Sequence, residues 1–242
     1  MKPVVFALIA AGIFAAAVFL AGCSDSSTDP SEPLTYPDIP GIVVFYAFDG
    51  DYGNEVGGGH EGSASRGVTF VDPPPGKSGQ AVHFGTDDYV AVPDHPDLDI
   101  TGELSIGTWV SPEASNNANA TLVGKGVDSY IMGIWGGVAD PETTNINIYV
   151  HDNGTSTLML VPMGMDVWSH VAATFDPATD RVRFYLNGVK VDSGIITRTA
   201  EDTDDELTIG RSLYGGYKGR IDNVAIFDRV LSAAEIVALY DF

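Results

Sequence analysis

The stretch of sequence that decides the fold is Arg181-Val182-Arg183-Phe184-Tyr185-Leu186-Asn187-Gly188-Val189-Lys190-Val191. Polar and apolar residues alternate along its first half, which is the pattern of a β-strand with one buried face. Asn187 and Gly188 tolerate positive φ angles, so they favour a type I′ turn into a second strand. The stretch therefore predicts a β-hairpin.

Short apolar runs of the same kind, separated by Gly, Asn, Asp and Pro, continue over the chain from Gly41 onward. Many short strands with turns between them indicate an all-β sandwich or barrel. The predicted strands are Ile42–Phe48, Gly67–Val71, Ala81–Phe84, Tyr89–Val92, Leu104–Val110, Thr121–Lys125, Tyr130–Trp135, Asn145–Val150, Leu158–Val161, Trp168–Phe175, Arg181–Leu186, Val189–Asp192, Leu207–Gly210 and Gly219–Phe227.

One short helix is predicted at the C-terminus. Ser232-Ala233-Ala234-Glu235 has the spacing of a capping box, in which the Ser and Glu side chains accept hydrogen bonds from each other's backbone N–H groups. Leu231 and Ile236 stand where a hydrophobic staple clamps the first turn. No other helix is evident in the sequence.

The N-terminal segment has the organisation of a secretory signal. Lys2 precedes an apolar run from Val4 to Leu20, and the run ends in Leu20-Ala21-Gly22-Cys23. This ending resembles the lipobox of bacterial lipoproteins, which implies that residues 1–22 are removed and that Cys23 is lipidated. The alternative is a plain transmembrane anchor, because the apolar run is close to the lower length limit of a membrane span.

The rest of the chain then divides into two parts. Residues 23–40 begin with the lipidated cysteine and are rich in Ser, Asp and Pro, which predicts a semi-extended tether. Residues 41–242 are predicted to form one domain. The lipid at Cys23 would hold this domain at a bacterial membrane, and Ser24 after the cysteine favours the outer membrane or cell surface.

Composition restricts the partners and the chemistry. The formal net charge of −21, from 12 basic and 33 acidic residues, repels nucleic-acid phosphates, so no nucleic-acid partner is expected. Calcium and neutral ligands suit such a surface. Cys23 is the only cysteine, so the domain is expected to lack disulfides, thiolate-bound zinc and a thiol nucleophile.

Nine motifs, in order, resemble those of laminin-G-like, concanavalin A-like jelly-roll domains. The matching motifs are Phe48-Asp49-Gly50, Gln80–Phe84, Asp88–Pro93, Leu104–Val110, Trp168–Ala172, Phe184–Gly188, Leu207–Arg211, Gly219–Val224 and Leu231–Ile236. The resemblance implies a two-sheet antiparallel jelly-roll sandwich, in which the first and last long strands lie side by side. It does not name a ligand, because this fold hosts lectins, glycosidases and spacers.

Asp49 and Asp222 are the predicted metal ligands. Strand alternation places Asp49 on the face of Val43, Phe45 and Ala47. It places Asp222 on the face of Val224 and Ile226. Carboxylates that continue an apolar face need compensation by a cation or by hydrogen bonds. The resemblance implies a structural Ca²⁺ bridging the two acids.

Loop carbonyls and Asn54 are the expected further ligands of this Ca²⁺. The alternative is that Asp49 and Asp222 only cap backbone N–H groups. An EF-hand is excluded, because the sixth position of the loop that starts at Asp49 is Asn54 and its twelfth is His60.

Catalysis is not expected. Glycosidases of this architecture place three carboxylates along one strand, in the pattern Glu-x-Asp-x-x-Glu. The most similar segment here, Glu201-Asp202-Thr203-Asp204-Asp205-Glu206, has Thr203 where the pattern needs an aspartate. No serine-nucleophile or zinc-protease motif is present. His170 is interpreted as a semi-buried, hydrogen-bonded residue, while His60, His95 and His151 are placed in turns or at strand ends.

The predicted function is recognition by a tethered module that binds a glycan or a protein at the cell surface. Trp135, flanked by Gly133, Gly136 and Gly137, is the candidate ligand-contacting residue, because sugar rings stack on flat aromatic faces. The alternatives are a structural subunit of the envelope that binds no ligand and, less favoured, a glycosidase.

Overall fold

The computed structural model describes residues 36–85, 87–113, 120–126, 128–135, 144–150, 157–197, 200–212 and 215–242. Two antiparallel sheets and a two-stranded ribbon account for its strands, which confirms the predicted all-β jelly roll. Among the described residues, no helix has the length and apolar character needed to cross a membrane.

The larger sheet has eight strands, which are β1 (Ile42–Tyr46), β3 (Thr69–Val71), β4 (Ala81–Phe84), β6 (Leu104–Pro112), β11 (Ser169–Asp176), β12 (Arg181–Leu186), β13 (Val189–Ile195) and β17 (Gly219–Phe227). Their order in the sheet is β13-β12-β11-β6-β17-β4-β3, and β1 is also paired to β17.

The second sheet has seven strands, which are β2 (Ser63–Ser65), β5 (Tyr89–Val92), β7 (Ala120–Lys125), β8 (Tyr130–Trp135), β9 (Thr144–Val150), β10 (Thr157–Met163) and β14 (Leu207–Ile209). Their order in the sheet is β10-β9-β8-β7-β14-β5-β2. The ribbon consists of β15 (Arg211–Ser212) and β16 (Gly215–Gly216), and a 3-10 turn covers Pro96–Leu98.

The predicted hairpin forms as expected between β12 and β13. Leu186 pairs with Val189 across the turn, and Asn187 and Gly188 have φ angles of 49° and 76°. Both angles are positive, as a type I′ turn requires. Alternate residues of β12, such as Val182 and Phe184, enter the main core between the two sheets.

A second, smaller core lies on the other face of the eight-stranded sheet, where helix α1 (Ala233–Asp241) packs. Ser232 and Glu235 form the predicted capping box, and the staple residues Leu231 and Ile236 are both buried. Phe45, Ala47, Ala225 and Phe227 supply the sheet side of this core. The second core therefore depends on the pairing of the first strand with the last.

Candidate functional site

Pairing of β1 with β17 brings the two predicted metal ligands close enough for the charge of Asp49 to act on Asp222. Asp49 follows β1, and its Oδ1 accepts a hydrogen bond of 2.7 Å from the backbone N–H of Gln80. Gly79 makes this approach possible, because a Cβ atom there would lie 1.7 Å from Oδ1 of Asp49. Gly79 also has a φ of 87°, which suits glycine.

Asp222 lies on a different face from the predicted one. It pairs with Trp109 of β6, whereas Val224 and Ile226 point into the main core. The reason is a β-bulge after Asp222, where Asn223 has a φ of 50° and shifts the register by one residue. The bulge turns Asp222 toward the helix side of the sheet, the side that also carries Ala225.

The carboxyl of Asp222 is buried, with 1% of the residue exposed. It accepts a hydrogen bond of 2.8 Å from the backbone N–H of Asn223. Burial, and secondly the charge of Asp49, raise the pKa of Asp222 to about 8, although the Asn223 N–H and Lys77 act in the opposite direction. The negative charge of Asp222 is therefore poorly compensated within the protein.

Lys77 is a member of this site that sequence analysis missed. Its ammonium donates hydrogen bonds to the carbonyl oxygens of Tyr240 (2.8 Å) and Asp241 (2.9 Å) and lies 5.3 Å from the centre of the Trp109 ring. Burial lowers the pKa of Lys77, while the nearby charges of Asp241 and Asp222 favour its charged form. A lone lysine in a Pro-Gly-Lys turn gives no signal of this role, because only the fold brings it to the C-terminus.

Asn54 does not join the site, contrary to prediction. Its Oδ1 accepts hydrogen bonds from the backbone N–H groups of Phe45 (2.9 Å) and Val56 (3.3 Å). Its amide nitrogen donates to the carbonyl oxygens of Gly57 (2.8 Å) and Gly59 (3.4 Å). Because its polar atoms are occupied by the backbone, Asn54 holds its own loop and has no free oxygen aimed at a metal ion.

Trp109, His170 and Tyr240 form an aromatic cluster beside Lys77. The Trp109 and Tyr240 rings stack with centres 5.3 Å apart, and the His170 ring meets both at steeper angles. His170 is fully buried rather than semi-buried, and neither of its ring nitrogens has a hydrogen-bond partner in the described part of the chain. Burial, and secondly Lys77, lower the pKa of His170 to about 3, so its ring is neutral.

The Asp49–Asp222 site has the chemistry of an oxygen-ligand cation site. Two carboxylates, one exposed and one buried, act on each other electrostatically, and the buried one lacks full charge compensation. Calcium binds about six to eight oxygen atoms, so these two residues would hold it together with water or main-chain carbonyls. The residues fit a cation, with Asn54 removed from the set.

The acidic run at residues 201–206 forms a loop that precedes β14. The ammonium of Lys125 contacts the carbonyl oxygen of Thr203 and lies 2.8 Å from Asp94 and 2.7 Å from Asp99. The loop is thus attached to the domain by a buried lysine, and its carboxylates do not alternate along a sheet face.

Two of the predicted site residues, Trp135 and Cys23, have side chains outside the described part of the structure. Trp135 ends β8, but its side chain lies outside the described part of the structure. Cys23 and residues 1–22 likewise lie outside the described residues, as does most of the predicted tether.

Comparison with known families decides the class of the domain. The profile of a family described as the concanavalin A-like lectin/glucanases superfamily matches residues 84–237. The chain belongs to this superfamily. Among curated proteins, none matches the chain by sequence.

Solved structures share the superfamily fold at low sequence identity. Domain 4 of AbnA, a GH43 extracellular arabinanase from Geobacillus stearothermophilus solved in complex with arabinotriose, has a TM-score of 0.67 and 19% identity. The match covers 82% of this chain and 98% of that domain.

Toxin binding domains resemble the chain in the same way. The binding domain of botulinum neurotoxin DC, solved with rat synaptotagmin II, has a TM-score of 0.62 and 13% identity, over 83% of this chain and 51% of the other. The binding domain of Paraclostridial Mosquitocidal Protein 1 has a TM-score of 0.63 and 15% identity, over 83% and 52%. The chain thus spans about half the length of these toxin domains, and the likeness shows the fold alone.

Proposed function

We propose that the protein is a non-catalytic recognition module, lipid-anchored at the bacterial cell envelope through Cys23, that binds carbohydrate. The observation that carries this proposal is the correspondence with an arabinanase domain solved with arabinotriose, which is matched over 98% of its length. The matched unit is a whole domain, domain 4, of that enzyme. A protein ligand is the second candidate, since the toxin binding domain of the same fold was solved with synaptotagmin II.

The position of the acidic residues supports the non-catalytic role in this proposal. The only carboxylate run resembling a glycosidase motif, at residues 201–206, lies in a loop before β14. A glycosidase must hold its acid and its nucleophile at a fixed separation on opposite sides of the scissile bond. A loop held through Lys125 and Thr203 does not supply that arrangement.

Calcium has a structural role in this proposal. Asp49 follows β1 and Asp222 lies in β17, so an ion that bridges them would tie the paired first and last strands together. The same junction supports the core under α1. Calcium removal would therefore loosen the fold on which any ligand surface is built.

The test is binding of the detergent-solubilised full chain to an array of glycans that includes arabino-oligosaccharides, with Ca²⁺ and with EDTA. We expect wild type to bind a defined glycan class more weakly in EDTA than in Ca²⁺, whereas Asp222→Asn, whose fold does not need the ion, should bind equally well in both. Asp204→Asn, the same change in the exposed acidic loop, is the matched control and should bind as wild type. A folded, calcium-loaded protein that binds no glycan would refute the carbohydrate proposal.

A further inference from the structure

Two loops that are distant in sequence bring two histidines and an aspartate together at a place unrelated to the Asp49–Asp222 site. His60 lies in the loop between β1 and β2. His95 and Asp97 lie on either side of Pro96, the first residue of the 3-10 turn that follows β5. The Nε2 atom of His60 lies 3.3 Å from Oδ2 of Asp97, and Nδ1 of His95 lies 3.5 Å from the same oxygen. Each residue offers one ligand atom, and all three atoms lie within 4.8 Å of one another.

His60 is held in this cluster at an energetic cost. Its side chain is only 2% exposed, and its Nδ1 has no hydrogen-bond partner among the described residues. A buried polar atom without a partner is destabilising, because it has lost its hydrogen bonds to water without replacing them. The backbone of His60 is fixed as well, because its carbonyl oxygen accepts a hydrogen bond of 2.7 Å from the hydroxyl of Tyr46.

The imidazole of His60 is directed at the other two residues. Its Nε2 faces Asp97, and its ring meets the ring of His95 edge to face with centres 4.3 Å apart. His95 is positioned in turn, since its Nδ1 accepts a long hydrogen bond of 3.2 Å from the backbone N–H of Asp97, which an ion bound at this nitrogen would replace. A buried, partly unsatisfied imidazole therefore points at a half-buried imidazole and an exposed carboxylate, which is an arrangement that a cation would stabilise.

Space for further ligands exists beside the cluster. A cavity of about 270 Å³ is lined by His60 and Asp97 together with Ile42, Val43, Gly57, Gly58 and Asp228. Three protein ligands beside open space are typical of metal sites that keep a position for water or an exogenous ligand, whereas purely structural zinc sites have four protein ligands.

We propose that His60, His95 and Asp97 bind one divalent transition-metal ion of the zinc class, separately from any calcium at Asp49 and Asp222. The ligand types decide the class, because imidazole nitrogen suits Zn²⁺, Ni²⁺ and Cu²⁺, whereas Ca²⁺ takes oxygen ligands. The ion would join the loop that follows β1 to the loop that follows β5. Its open position faces the cavity and would accept water or a donor atom of a bound ligand.

The test titrates Zn²⁺ into the untagged, EDTA-stripped full chain in detergent, in competition with a chromophoric chelator. Wild type should bind one Zn²⁺ per chain, and excess Ca²⁺ should not displace it. His95→Ala removes a half-buried ligand, and His60→Asn keeps a residue type that tolerates the φ of 64° at position 60. Each variant should weaken Zn²⁺ binding at least tenfold while unfolding in EDTA as a single cooperative transition.

Two controls separate this site from adventitious binding and from the carboxylate pair. His83→Ala removes a half-buried imidazole that lies 2.7 Å from Glu113, and it should leave Zn²⁺ affinity unchanged. Asp222→Asn should also leave it unchanged. Equal affinity in wild type and His95→Ala, an equal loss in His83→Ala, or a loss confined to Asp222→Asn would each overturn the proposal.

Discussion

Replacing Asp222 by asparagine should stabilise the metal-free protein at neutral and alkaline pH. The buried carboxyl has a pKa of about 8 in the folded protein, against 3.8 as its ordinary value. Because folding raises the pKa of Asp222, protonation of this residue favours the folded protein at pH values below the unfolded pKa of about 4. This contribution to the free energy of unfolding is lost as the pH rises from about 4 to 8. Asparagine does not ionise, and its side-chain oxygen can still accept the hydrogen bond from the N–H of Asn223.

The expected size of the effect follows from the shift. Each pKa unit corresponds to about 1.4 kcal/mol, so ionising Asp222 costs at most about 5 kcal/mol at pH 8. In EDTA at pH 8 the variant should therefore unfold at a higher temperature than wild type, by about 2–4 °C for each kcal/mol that is realised. At pH 4 the advantage should vanish, because Asp222 is protonated in the folded protein.

Thermal unfolding followed by circular dichroism from pH 4 to pH 8, with EDTA throughout, measures this effect. Asp204→Asn, in the exposed loop, should follow the wild-type curve. Adding Ca²⁺ should stabilise wild type by about 3 kcal/mol at a hundredfold excess over Kd and should leave Asp222→Asn unaffected. Parallel pH profiles for wild type and Asp222→Asn in EDTA would refute the reasoning.

Three further predictions concern other parts of the chain. Cys23→Ser should release the protein from membranes and abolish a lipid mass increment in intact-mass spectra, whereas an equally membrane-bound variant would contradict lipidation. Gly79→Ala should lower the unfolding temperature and weaken the calcium response, because its Cβ would displace Asp49. Between pH 6.5 and pH 5, His170→Phe should lose about 2 kcal/mol less stability than wild type. In wild type, His170 has a folded pKa of about 3, so it is protonated in this range only when the chain unfolds, and acid therefore favours unfolding. Identical acid denaturation curves for the two proteins would argue against this prediction.

Local signals were sufficient to predict most of the strands, the hairpin at Asn187-Gly188 and the helix cap at Ser232, because each depends on neighbours in sequence. β2 (Ser63–Ser65) was missed, since a short polar strand lacks an apolar pattern. The face of Asp222 was predicted wrongly, because strand alternation assumes a regular strand and the bulge at Asn223 breaks it.

The site itself was only partly predictable. The pairing of Asp49 with Asp222 came from the order of motifs in the fold, and β1 does pair with β17. Lys77 and the cluster of His60, His95 and Asp97 are assembled by long-range topology, with no spacing in the sequence that connects them. Asn54 is a residue type that often binds Ca²⁺, but its side-chain oxygen and nitrogen are hydrogen-bonded to the backbone of Phe45 and Gly57.

Titration calorimetry of Ca²⁺ into the EDTA-stripped wild-type chain tests the central claim most directly, namely that Asp49 and Asp222 act on one cation at the junction of the first and last strands. We predict binding of one Ca²⁺ per chain in wild type and in Asp204→Asn, and no binding at this site in Asp222→Ala. Absence of calcium binding in the wild type, or undiminished binding in Asp222→Ala, would contradict the account and leave the two aspartates as acceptors of the Gln80 and Asn223 backbone N–H groups alone.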